Sequence, residues 1–337
     1  MRKIIIDDNI RNFASEYSSK VQAKCPNVIT DLKKLRDNVI SFNPQIDQSI
    51  VKNYINEIVL DYPNLIKMEP KDWNFKKYEK ILQKNPDILS QKVNYDIKKK
   101  NAAGKPIEYY EEVLYKRIMF CLRYDETRII LGEIHQKMKL KACIYCNTQP
   151  TRSAEGEVFY EMDHLKAKSL YPFLGTCFYN LQPSDSSCNK RKSTKPCDFQ
   201  LYTNNPKEEL SPFKFLPQIT EIAPEKKQEC INIKFVTKNG IETDASKQYK
   251  TTFHLDNLYA AYKDKVNDLY EKNRKMSEGM ISAYKAGLNY EPTRAELTEF
   301  LLDCPYDEAR IHEDVLRKLK VDTMEQLCLL YTSPSPR

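Results

Sequence analysis

Apolar residues recur at helical spacing through residues 9–60: Ile29, Leu32, Leu35, Val39 and Ile40, then Ile50, Val51, Tyr54, Ile55 and Ile58. Asn43-Pro44 separates the two runs. Residues 62–71 carry two prolines and read as loop, and a short helix is expected over 74–84. Val113, Leu114, Ile118, Met119 and Leu122, then Ile129, Ile130, Ile134 and Met138, predict two helices within 107–139. A strand is expected over 157–163. Beyond Cys197, Pro206, Pro212 and Pro217 mark a loop-rich crossing. Ile231–Val236, Asn239-Gly240 and Ile241–Thr243 read as a β-hairpin, because Asn-Gly is the strongest two-residue turn signal. A long helix is expected over 255–286, a second over 293–302 with Thr293 and Glu296 as its capping box, and a third over 307–320. The pattern predicts an α+β fold, mainly helical, with no internal repeat.

The polar and basic stretch 94–106, with Ala102-Ala-Gly-Lys-Pro106, makes a boundary between an N-terminal helical region (1–106) and a central region (107–200). A hairpin-plus-helix region follows over 201–327. The last ten residues, 328–337, resemble a sequencing adapter read in frame and are expected to be foreign to the fold.

The chain has 337 residues, 41 % hydrophobic and 30 % charged, with a mean hydropathy of −0.66. That allows a sizeable core and predicts a soluble protein. No apolar run reaches membrane-spanning length, and Met1-Arg-Lys-Ile-Ile-Ile-Asp7 is too short for a signal peptide, so a cytoplasmic location is expected and no membrane partner. Ten cysteines in such a chain point to metal ligation or buried thiols and not to disulfides. The net charge of +7 hints at a polyanionic partner. Lys98–Lys100 and Lys137, Lys139 and Lys141 are basic runs of the kind that usually form solvated faces. Lys190, Arg191, Lys192 and Lys195 differ because they adjoin the residues described next.

Within residues 143–192 lie Cys143-x2-Cys146, Asp163-His164, Asn180 and Cys188-Asn189-x2-Lys192. Adjacent strand residues face opposite ways, so an aspartate and a histidine that serve one substrate need a strand end, which Leu165–Ser169 supplies. A neutral imidazole takes a proton from water near neutral pH. A cation neutralises charge that builds on a phosphate, and magnesium prefers oxygen ligands such as a carboxylate and an amide.

This order of residues resembles the HNH, or ββα-metal, endonuclease family over about 140–197. Tyr171–Pro183 is similar to a segment of HNH endonucleases from bacterial anti-phage systems, and Phe253–Tyr259, Leu316–Leu319 and Glu325–Leu327 are more weakly similar. The resemblance implies a ββα-metal core with a zinc knuckle, flanked by helical regions and a C-terminal hairpin. It implies Asp163 and Asn189 as ligands of a divalent cation, magnesium in preference, and His164 as general base. It implies Asn180 as the residue that ties the loop and holds the histidine. Lys168 and Lys192 match basic positions expected to touch phosphate. Cys143, Cys146 and Cys188 are the expected structural zinc ligands, with the fourth left open between Asp185 and Cys197. His135, His254 and His312 read as structural or solvent-facing, and Cys25, Cys121, Cys177, Cys230 and Cys304 as small core residues.

The expected function is metal-dependent endonucleolytic hydrolysis of nucleic acid, DNA before RNA, in phage defence or restriction, with an ATPase as candidate partner protein. One alternative is a catalytically inactive, zinc-stapled nucleic-acid-binding module. A second is a helical scaffold in a multi-component system.

Overall fold

Asp7 starts the first helix: its carboxylate accepts from the Ile10 backbone N–H, one of the donors that a helix start leaves open. The computed structural model describes residues 1–41, 46–95, 110–154, 156–195, 197, 199–219, 231–275, 282–283, 286–287 and 293–332. After β1 (Ile4–Ile5), α1 (Asp8–Lys24) buries Ile10, Ala14, Tyr17 and Val21 at three- and four-residue spacing. α2 (Val28–Asn38), β2 (Ile40–Ser41) and α3 (Gln48–Leu65) follow. Residues 62–65, expected as loop, continue α3 through Pro63. Pro63 removes one N–H from the ladder close to the helix end, and the buried Tyr62 and Leu65 on either side hold that turn by packing.

α4 (Lys76–Leu82), β3 (Lys92–Tyr95), β4 (Tyr110–Val113), α5 (Leu114–Cys121) and α6 (Tyr124–Lys137) come next. β2, β3 and β4 form an antiparallel sheet, so Ile40 and Val113, read as helical, belong to strands. Both are β-branched, and tertiary pairing overrides the helical reading of short apolar runs. The boundary expected over 94–106 lies largely outside the described residues.

β5 (Ser153–Ala154) pairs with β6 (Glu157–Val158), and β7 (Glu161–His164) pairs with β8 (Leu181–Ser184). The single strand expected over 157–163 is therefore two short ones. α7 (Ser186–Lys192) follows β8, and β9 (Tyr202–Thr203) pairs in parallel with β1, tying the chain start to the far side of the central region.

β10 (Phe213–Ile219) and β11 (Ile231–Thr237) form a seven-residue antiparallel ladder. This corrects the hairpin. Asn239-Gly240 does turn the chain, with Gly240 at φ 78°, but it leads to α8 (Asp244–Phe253) and not to a strand at 241–243. The partner is the segment read as loop. Pro217 sits opposite Ile233 in a two-stranded sheet, where each strand has a free edge and a missing N–H is tolerated.

The helix expected over 255–286 is broken into α9 (Leu255–Ala260) and α10 (Lys263–Lys275); residues 276–281 lie outside the described set. α11 (Arg294–Leu302) has the predicted capping box from Thr293 and Glu296. α12 (Arg317–Thr332) begins later than the helix expected from 307, because Glu308–Glu313 is a 3-10 turn, and it runs into the segment set aside as foreign. No helix of the described residues is long and apolar enough to cross a membrane.

One buried apolar cluster runs through all three expected regions, from Tyr17 and Ile58 through Leu131 and Phe178 to Phe215 and Phe253. A smaller one joins Leu269, Leu302, Cys304, Met324 and Leu327. The C-terminal elements thus pack on the central region and brace it, as the hydrogen bonds below show.

Candidate active site and cysteine cluster

β7 and β8 run antiparallel, with Asp163 opposite Gln182 and His164 opposite Leu181, and α7 follows directly. The order strand, loop, strand, helix is therefore present, and α7 lies against β7 through Lys192. Asp185 starts α7. Its carboxylate accepts from Ser187 N at 2.9 Å, Cys188 N at 3.3 Å and the Ser187 hydroxyl.

Cys143, Cys146 and Cys188 bring their sulfurs within 4.8 Å of one another, all buried. That grouping can hold a metal ion, and three thiolates suit a soft or borderline ion such as zinc. Among the described residues Asp185 does not join the group, because its carboxylate is engaged as the cap of α7. Thr148 Oγ1 donates to Cys146 Sγ at 3.2 Å. The neighbouring thiols Cys143 and Cys188, with Thr148, hold Cys146 well below the ordinary thiol range. Burial and the same sharing push Cys143 up to about 12 and Cys188 far up. Cys197 is half-buried and stands outside the trio, yet it acts with all three on the Tyr249 hydroxyl, which burial raises first.

The turn that carries Cys143 and Cys146 is held by the C-terminal region. Tyr249 OH donates to Tyr145 O at 2.8 Å, and Tyr259 OH to Cys146 O at 2.6 Å. Asn147, at φ 55°, donates to Ile311 O and Asp314 O and accepts from Lys318 N at 2.9 Å. Asparagine tolerates this left-handed position better than most residues.

Asp163 is only 2 % exposed, and its carboxylate is already engaged. Tyr145 OH donates to Oδ2. Lys192 Nζ lies 2.9 Å from Oδ2 and 3.2 Å from Oδ1, and also donates to His164 O at 2.9 Å. Burial raises the Asp163 carboxyl above its usual range, against the opposing pull of Lys192 and Tyr145. Lys192 itself is 1 % exposed. Its ammonium thus faces inward, and the expected phosphate contact is not open to it in this arrangement. As it stands, Asp163 does not fit an open cation site. Asn189, three residues before Lys192, flanks it on the helix and is half-buried.

His164 is 6 % exposed. Its Nε2 lies 3.1 Å from Gly175 O, an acceptor, which assigns the hydrogen to Nε2 and leaves the Nδ1 lone pair as the basic site. Burial, then Lys168 and Lys192, push His164 down to about 3, so the ring is neutral at pH 7. The Tyr124 ring packs on it at 5.2 Å between centroids, and the exposed Lys168 ammonium sits 5.2 Å over Tyr124.

Asn180, fully buried, closes the loop between β7 and β8. Its Oδ1 accepts from Lys166 N at 2.7 Å, and its Nδ2 donates to Lys166 O and Leu174 O. The same loop positions Gly175 O. A Cβ at Gly175 would meet the backbone Pro172 O at 2.9 Å as well as the Met119 side chain, so a larger residue would displace the loop that presents the carbonyl to His164.

Three residues here escaped the sequence reading, Tyr145, Gly175 and Gln182, and so did the inward course of Lys192. Tyr145 lies inside the Cys-x2-Cys spacing, which was the one signal available. His135 and His312 are buried, bonded to Tyr160 OH and Arg2 O, and His254 sits in a left-handed turn between α8 and α9. Cys25, Cys121, Cys177 and Cys304 are buried, and Cys230 lies outside the described residues. No family model, no curated protein and no solved structure matches this chain.

Proposed function

We propose that this chain hydrolyses phosphodiester bonds in nucleic acid, DNA in preference to RNA, from the β7–β8–α7 unit. The observation that carries this reading is the placement of His164. It stands at a strand end with Nε2 fixed on Gly175 O, beside Asp163, in a loop that Asn180 closes. His164 Nδ1 takes the proton of a water whose oxygen attacks phosphorus. The bond to the 3′ oxygen breaks, that oxygen gains a proton, and the products carry a 5′ phosphate and a 3′ hydroxyl. Lys168, Lys190 and Lys195, all exposed, supply positive charge to the backbone. Zinc on Cys143, Cys146 and Cys188 is the proposed structural metal; Asp185 serves α7, and Cys197 would complete the set only by moving toward the trio. Resemblance to anti-phage endonucleases suggests a role in defence, with an ATPase as partner.

His164→Ala should reduce cleavage of duplex DNA by about 10²-fold or more and leave DNA binding intact. Equal rates for the two proteins would end the mechanism. A second reading, a zinc-stapled binding module without catalysis, is favoured by one observation: Lys192 closes Asp163. It predicts salt-dependent DNA binding with no cleavage by the wild-type protein under any divalent ion.

A further inference from the structure

The Asp163 carboxylate is a buried anion whose counter-charge comes from within the chain. Lys192 reaches it from the last residue of α7, which places an ammonium against both oxygens. A lysine ammonium and a hydrated divalent ion compete for the same oxygens. Directly across the strand pair, Gln182 points to the same face, because opposed residues of an antiparallel pair share a side. Gln182 is fully buried, and neither its Oε1 nor its Nε2 has a hydrogen-bond partner. Buried amides are nearly always bonded, so an unpartnered one beside a carboxylate marks a place that a water or an ion-bound water completes.

We propose that Lys192 is a placeholder cation: a divalent ion gains Asp163 only by displacing the lysine, which then turns its ammonium outward. This deepens the hydrolase reading, on which the identity of the displacing ion rests. It makes cation binding and lysine release one event. It also gives Lys192 two stations, the carboxylate without the ion and the solvent side, where substrate phosphate lies, with it.

Manganese binding, followed by electron paramagnetic resonance on zinc-loaded protein, tests this without any cleavage assay. Lys192→Gln should bind manganese at least about tenfold more tightly than wild type, and Asp163→Asn in either background should remove that site. Equal or weaker binding by folded Lys192→Gln overturns the proposal. The wild-type protein supplies an independent arm. A buried, hydrogen-bonded lysine ammonium gives a proton–nitrogen resonance protected from exchange, and among the described residues it is expected of the two least exposed lysines, Lys192 and Lys318, the latter held by Asp322 at 2.6 Å. Saturating magnesium should abolish the Lys192 signal and leave the Lys318 signal in place. Retention of both at saturation overturns the proposal, whatever the variant does. If manganese and magnesium act as expected but no DNA is cut, the placeholder stands and the hydrolase reading falls.

Discussion

At the cysteine cluster three buried sulfurs converge, whereas nearby the Asp163 carboxylate is matched by a lysine of its own chain. Both groups are buried, and both are anchored by the same helix, through Cys188 and Lys192. Soft donors gathered without an internal cation leave their charge balance to an external ion. A hard carboxylate paired with an ammonium is neutral as a unit and asks for nothing further. The cluster should therefore depend on metal for stability, and the Asp163 pair should not.

The sharpest break of this comparison is metal removal. A structural zinc ion, the metal proposed for this cluster, would be worth on the order of 10 kcal/mol at neutral pH. Cys146→Ser, or a strong chelator, should strip the metal and lower the unfolding temperature by tens of degrees. Elemental analysis with thermal unfolding checks it. A protein that is metal-free as purified, with chelator-insensitive unfolding, removes the cluster from the comparison.

At Asp163 the expected cost is smaller and of another kind. Asp163→Ala leaves a buried ammonium without its partner, which costs about 3–5 kcal/mol. The double variant Asp163→Leu with Lys192→Met should recover most of that loss, since neither charge remains to be solvated. Urea unfolding of the singles and the double reads the coupling directly. Singles that each cost under about 1 kcal/mol would mean the pair is open to water.

Acid sets the range in which the two regions can be compared. Burial pushes His135, His164 and His312 down to about 3 in the folded protein, from an ordinary value of 6.5. Their contribution is complete above pH 6.5 and is lost as pH falls toward 3, because the unfolded chain takes up the protons first. The slope is about 1.4 kcal/mol per pH unit for each histidine. Asp163 and Asp322, whose carboxyls are raised by burial, act in the opposite sense, at and below their own raised values. Stability measured from pH 8 to pH 5 should be flat and then fall steeply; a flat profile to pH 5 would show that the three imidazoles are open to water.

Much of this arrangement was legible as sequence. The order Asp163-His164, Asn180, Cys188 and the Cys143-x2-Cys146 spacing is a local signal, and the three cysteines do converge. Capping by Thr293 and Glu296 was legible for the same reason. Contacts between residues distant in sequence were not. Nothing near Lys192 says that it turns inward, because the decision belongs to the burial of Asp163 and to the hydroxyl of Tyr145. Phe213–Ile219 read as loop because Pro217 is a strand breaker, except at the free edge that a two-stranded sheet provides. Asp185 offered zinc a carboxylate on paper, while the start of α7 claimed it.

Tyr145 gives the finest test, since it belongs to both regions. It lies between Cys143 and Cys146, stacks on Phe253 at 4.6 Å with rings 10° apart, and donates its hydroxyl to Asp163. Tyr145→Phe keeps the ring, the stack and the backbone carbonyl that Tyr249 holds, and removes only the donor to the carboxylate. A hydrogen bond to a charged group is worth about 1.5–3 kcal/mol, so stability should fall by that much while zinc content stays constant. In an Asp163→Asn background the same substitution should cost less than about 1 kcal/mol, since the charge that strengthened the bond is gone. Equal losses in both backgrounds would make Tyr145 a packing residue of the cysteine turn alone. Zinc lost along with the hydroxyl would mean instead that the Asp163 contact holds the cysteine turn in place, and that the two regions form one unit.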